Sequence, residues 1–136
     1  MRRSDQRRAA VFALYQHDLT GRPLQETLPR DAHAFTRALA EATLARREEL
    51  DAHIERHSKG WALDRIAPLE RSILRVALLE MLHAADVPGD ATIPAEGAID
   101  EAVETAKKFC GGEAPGFVNG ILGAVLDAVR DNPMAQ

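Results

Sequence analysis

Between Phe117 and Val129 the apolar residues Phe117, Val118, Ile121, Leu122, Val125, Leu126 and Val129 recur at steps of one and three. That spacing gathers into one stripe only on an α-helix. No stretch of the chain alternates apolar and polar residues as a half-buried strand does. Composition points the same way, since 24 alanines and 15 leucines stand against 7 valines and 6 isoleucines, a balance that favours helix over strand. The expected fold class is therefore all-α. A chain of 136 residues fits a single domain spanning 1–136 that buries its core without staples. The one cysteine, Cys110, excludes a disulfide framework and an all-cysteine metal cluster and suits a reducing cytoplasm.

Four further helical segments precede that stripe. The first runs from about Ser4 to Leu19 and is closed by Thr20-Gly21-Arg22-Pro23. A polar connection leads to about Arg30, and a long helical stretch then extends from Asp31 to about His57. Its charged middle, Arg46-Arg47-Glu48-Glu49, reads either as a solvated face of one helix or as a break between two. From about Ile66 to Ala85 the chain is apolar nearly all round, with eight apolar residues of ten between Ile73 and Leu82, and is expected at the centre of the domain. Trp61, in the connector before it, is expected as a core staple. After a Pro- and Gly-bearing loop from Asp86 to Ala95, a helix through Ile99 to Phe109 ends at Gly111-Gly112. Pro115 suits the first turn of the last helix, and the tail after residue 130 is expected to fray. Gly116, Gly120 and Gly123 share the side opposite the apolar stripe with Asn119. Each costs about 1 kcal/mol relative to alanine, which suggests that something approaches this backbone closely.

Charge and motif searches remove several function classes. A net charge of −4 argues against indiscriminate coating of nucleic acid, which requires a broad basic surface. The distribution is uneven, because Met1 to His17 holds four arginines and one acid while Asp86 to Glu104 holds six acids and no Lys or Arg. No apolar run reaches a bilayer's width, and the N-terminus lacks the pattern of a secretory signal. His53 and His57 are one turn apart, but without a third ligand they read as a solvated helix flank and not as a metal site. Cys110 has no evident His partner and reads as a packed thiol. The acids Glu96, Asp100, Glu101 and Glu104 read as a solvated face paired with Lys107 and Lys108. No catalytic residue, cofactor or metal is expected. What remains is the arginine group Arg2, Arg3, Arg7 and Arg8, expected to precede an exposed helix start and to reach phosphate together.

The order of motifs is more specific than any one of them: Arg7-Arg8 before Ala13-Leu14-Tyr15-Gln16, then Trp61-Ala62-Leu63-Asp64-Arg65-Ile66, Ile73-Leu74-Arg75-Val76-Ala77, Ile93-Pro94 before Ala98-Ile99-Asp100-Glu101-Ala102-Val103, Ala106-Lys107-Lys108-Phe109, and Phe117-Val118-Asn119-Gly120. From about Arg7 to Leu126 the chain resembles the NusB family of bacterial transcription antitermination factors. The resemblance implies an all-helical fold of two small packed bundles and no enzymatic activity. It implies a heterodimer with NusE, a small-subunit ribosomal protein, that binds the boxA element of nascent RNA. NusA, NusG and RNA polymerase complete the assembly on ribosomal RNA operons, and some members are thought to form homodimers.

Carried over by position, the resemblance puts Arg7, Arg8, Tyr15, Phe109, Phe117 and Asn119 at RNA, and the arginine group adds Arg2 and Arg3 to the expected RNA contacts. It puts Glu70, and less directly Glu80, at the protein partner; on so apolar a helix both need a partner, internal or external. Arginine holds phosphate, aromatic rings stack on bases and an amide reads a base edge. Phe109 and Phe117 also fit the core stripes of their helices, and Tyr15 reads as core with its hydroxyl at the edge. Asp100 replaces the usual Asn, Gly97 the usual Val, and the 86–92 loop is longer than typical. A thin arginine group then implies weak affinity for RNA without the basic partner. Replacing Arg7 and Arg8 with Ala is expected to weaken RNA binding without affecting folding. NusB-like domains also serve as RNA-docking modules ahead of ribosomal RNA methyltransferases, a reading that requires a longer chain than one stopping at Gln136.

Overall fold

The computed structural model describes residues 1–89 and 93–132. Residues 90–92 of the expected long loop, and 133–136 of the tail expected to fray, lie outside the described residues. Seven α-helices follow in order among the described residues: α1 (Arg3–Thr20), α2 (Leu24–Thr27), α3 (Ala34–Ala45), α4 (Arg47–His57), α5 (Pro68–Leu82), α6 (Ala95–Phe109) and α7 (Ala114–Asp131). Single 3₁₀ turns at Leu63–Arg65 and Ala84–Asp86 flank α5.

α5 is the axis of the molecule. It packs on α1 and α3 on one side and on α4, α6 and α7 on the other, while α2 packs on α1. Every residue from Ser72 to Glu80 is buried, as the apolar run between Ile73 and Leu82 requires. The buried side chains of both sides form one continuous cluster. α5 is shorter at both ends than the pattern from Ile66 to Ala85 suggests. Pro68 stands at its first turn and holds Ala67 extended at φ −55°, ψ 138°, and His83 leaves helical geometry at φ −137°.

The charged stretch after α3 is a break between two helices. Arg46 sits at φ −108°, ψ 18°, and Thr43 Oγ1 donates to the Leu39 carbonyl at 2.7 Å, a back-bond that bends helices. Glu48 and Glu49 then occupy the first turn of α4, where the helix dipole favours them. The connection read as polar contains α2, anchored by buried Leu24 and Leu28.

Trp61 is not a core staple. It is 55% exposed, because the chain turns at Gly60 with φ 90° and the Trp61 carbonyl is held by Ser58 Oγ at 2.6 Å, which leaves the indole outside the helix packing. Polar ties cross the core instead: Arg71 Nη2 to Asp18 at 2.9 Å and Arg75 Nε to Asp51 at 2.7 Å join α5 to α1 and α4.

Candidate nucleic-acid interface

α1 begins at Arg3, so the four arginines belong to a helix start and do not move as one arm. Arg2 and Arg3 are exposed. Arg3 donates to Gln6 Oε1 at 3.0 Å, and its guanidinium carbon lies 4.3 Å from the centre of the Phe35 ring, a cation–π distance. One turn further, Arg7 is buried. Its Nε donates to both carboxylate oxygens of Glu80, at 2.8 and 3.1 Å. This corrects two expectations at once: Arg7 does not stand in an exposed group facing phosphate, and Glu80 is not presented to a protein partner. The physical reason is the helix period, which turns Arg7 onto the same face of α1 as buried Ala10, Val11 and Leu14. Burial pushes the Glu80 carboxyl up, against the pull of Arg7. Arg8 is largely covered, its side chain 14% exposed, with Asp5 at 3.6 Å.

Arg8, Phe12 and Tyr15 follow at i, i+4 and i+7, one face of α1. Phe12 and Tyr15 are half-buried. The Phe12 ring meets that of Phe109 edge to face, with centroids 4.9 Å apart and planes at 89°. Phe109 is the last residue of α6 and 48% exposed, beside exposed Lys107 and Lys108. In the sequence Phe12 falls on the wide apolar face of the first helix with Val11, Leu14, Tyr15 and Leu19. Its position one turn after Arg8 was the available signal, and the contact with α6 was not in the sequence.

Phe117, half-buried, lies in a groove of about 340 Å³ with Trp61, Arg65, Glu70 and Glu113 along its walls. The candidate RNA residue Phe117 and the candidate partner residue Glu70 thus share one concavity. Burial pushes the Glu70 carboxyl up, and burial with the charge of Glu70 pushes the Cys110 thiol up, so this thiol is held away from the reactive thiolate. Asn119 is exposed on the outer face of α7. A Cβ added at Gly116, Gly120 or Gly123 meets nothing within 4 Å. No described part of the chain makes the close approach that these glycines suggested, and the space beside Asn119 is open.

The acids of α6 are largely engaged. Glu101 accepts from Ser4 Oγ at 2.7 Å, Glu96 pairs with Arg130, and Glu104 lies 3.6 Å from Lys107. Burial pushes His53 and His57 down. Among the described residues no three His, Cys, Asp or Glu side chains are grouped to hold a metal ion, and no described helix is long and apolar enough to cross a membrane.

Exposed arginine, lysine, aromatic rings and an amide on an all-helical frame define a helical binding module. The NusB family model matches residues 4–127, and the chain belongs to the NusB family. It is 39% identical over 135 residues to the transcription antitermination protein NusB of Rubrobacter xylanophilus, covering 95% of this chain and 93% of that protein. That name belongs to a transcription factor and not to an enzyme. Among solved structures, NusB of T. maritima matches with a TM-score of 0.81 and 29% identity over 93% of this chain and 92% of that one. A crystal structure of antitermination factors NusB and NusE in complex with double-stranded RNA matches with a TM-score of 0.78 and 26% identity, over 93% of this chain and 96% of that one.

Proposed function

We propose that this chain is a transcription antitermination factor that binds boxA RNA together with the ribosomal protein NusE in the cytoplasm. In the larger assembly it works with NusA, NusG and RNA polymerase to sustain transcription of ribosomal RNA operons. One observation carries the reading: the fold matches, over 93% of its length, a chain of the complex that joins NusB, NusE and RNA. Arg2, Arg3 and Arg8 supply the phosphate contacts, Tyr15, Phe109 and Phe117 the stacking planes, and Asn119 a base-edge contact beside an open glycine surface. Glu70 faces the partner. Arg7 and Glu80 support this surface from within and touch neither ligand.

The test is fluorescence anisotropy of a boxA-type RNA and a scrambled control across a salt series, with and without NusE. Sequence-selective binding that tightens with NusE is expected. The Arg2→Ala, Arg3→Ala double variant should lower the salt slope by about one unit per lost phosphate contact. Binding indifferent to both sequence and NusE overturns the reading and leaves a generic RNA-docking module.

A further inference from the structure

Phe109 occupies an unusual place for a large apolar side chain. It closes α6, is 48% exposed, and is followed by Gly111 and Gly112 at φ 71° and 58°. A left-handed glycine pair turns the backbone away and supplies no side chain to pack on the ring. A terminal phenylalanine in that setting is free to choose among rotamers, each presenting a different surface to solvent. What limits it here is the ring of Phe12, from a different helix, met at 4.9 Å and 89°.

From this geometry we propose that Phe12 is the positioning residue for Phe109. It holds that ring upright at the end of α6 so that an exposed ring face is ready for a nucleobase of single-stranded RNA. The inference rests on the RNA-binding reading above and adds a residue to it. Three features support the assignment. Edge-to-face packing is the arrangement that the aromatic quadrupole favours, and it fixes orientation as well as distance. Exposed Lys107 and Lys108 directly precede Phe109, so cations for a flanking phosphate border the rings. The ring is also organised before RNA arrives, and stacking on a fixed ring does not incur the rotamer cost that an untethered one does.

The experiment uses a single-stranded boxA-type RNA carrying 2-aminopurine, whose fluorescence falls on stacking, titrated with the full chain over a salt series. Phe109→Ala should weaken binding about 5- to 100-fold, as loss of one stacked base does, and abolish the quenching at one labelled position. Phe12→Ala should weaken binding about 2- to 10-fold with the quenching reduced at that same position and the salt slope unchanged. Phe12→Tyr should restore both. The double variant should be no worse than Phe109→Ala alone, since one ring acts through the other. Phe12→Leu, which keeps the apolar volume, guards against a folding defect and should still lose part of the quenching while melting near the parent temperature.

Parent-like binding and quenching by Phe12→Ala and Phe12→Leu, beside a weakened Phe109→Ala, overturn this inference and leave the proposed function standing. A Phe109→Ala that binds and quenches like the parent overturns it too. If the parent chain itself fails to bind selectively, the function falls first and the inference with it.

Discussion

Arg7 and Glu80 meet inside the protein, with Nε donating to both carboxylate oxygens at 2.8 and 3.1 Å and side chains only 6% and 7% exposed. The pair fixes the start of α1 on the last turns of α5. Removing one partner of a buried pair costs about 3–5 kcal/mol, because the other charge stays buried without compensation. Glu80→Ala is therefore expected to lower stability by about that amount in urea unfolding. Arg7→Ala should destabilise less, since burial already pushes the Glu80 carboxyl up and a proton can neutralise it. Folding is thus not indifferent to Arg7, contrary to what an exposed arginine group implies. An Arg7→Ala protein of parental stability with a reduced RNA salt slope would place Arg7 at phosphate after all.

The joint between α3 and α4 gives a pH dependence. The hydrogen bond from Arg46 holds the Asp86 carboxyl below its ordinary 3.8. A depressed carboxylate contributes stability that is complete above the unfolded value and lost as pH falls through the folded one. Asp86→Asn should therefore lower the melting temperature modestly at pH 7, where that contribution is complete, and converge with the parent below about pH 4, which flattens the acid limb. Glu80 runs the other way. Raised above its ordinary 4.5 by burial, it favours the folded state most below that value and loses this contribution as pH rises through the folded one. An Asp86→Asn acid limb parallel to the parent's would show that Arg46 does not engage this carboxylate in solution.

Ile73 tests the central helix. It is 1% exposed in the first buried turn of α5, where the cluster of both sides passes around one rod. Ile73→Ala removes three carbons from close packing and should cost about 2–5 kcal/mol, read as a lower urea midpoint at unchanged slope. RNA affinity of the folded fraction should not move, because Ile73 lies behind the surface.

The helices were legible because their apolar stripes repeat at 3.6 residues, most clearly along α7. α2 was not, since Leu24 and Leu28 alone do not make a pattern, and Glu48 and Glu49 fit equally a solvated face and a helix start. The site was legible in kind and less so in detail. Arg7 stands 73 residues from Glu80, and a run of arginines disguises the one that faces inward. Its spacing of three and four from Ala10 and Val11, with Glu80 as the one acid in the run from Ile73 to Leu82, was the signal. Phe12 and Phe109 each fit a helix stripe, and only the packing of α1 beside the end of α6 joins them. Trp61 was misplaced because an aromatic before a helix usually packs inward, and here a left-handed turn at Gly60 carries it out.

Trp61 offers a direct reading of the groove that it shares with Phe117 and Glu70. It is the chain's single tryptophan and 55% exposed, so its native emission should be solvent-like and readily quenched by acrylamide. A core staple would be blue-shifted and shielded. Any ligand that enters the groove of about 340 Å³ covers the indole and should shift the emission and protect it from quenching. Protection by NusE alone would place the protein partner there, on the side of Glu70, whereas protection by RNA alone would assign the groove to a base stacked near Phe117. Glu70→Gln separates these further. It removes a carboxylate that a basic partner would pair with and that phosphate would avoid, so it should weaken a protein ligand and strengthen a nucleic-acid one. Protection by neither, with binding intact, would place both ligands on the α1 and α6 surface alone.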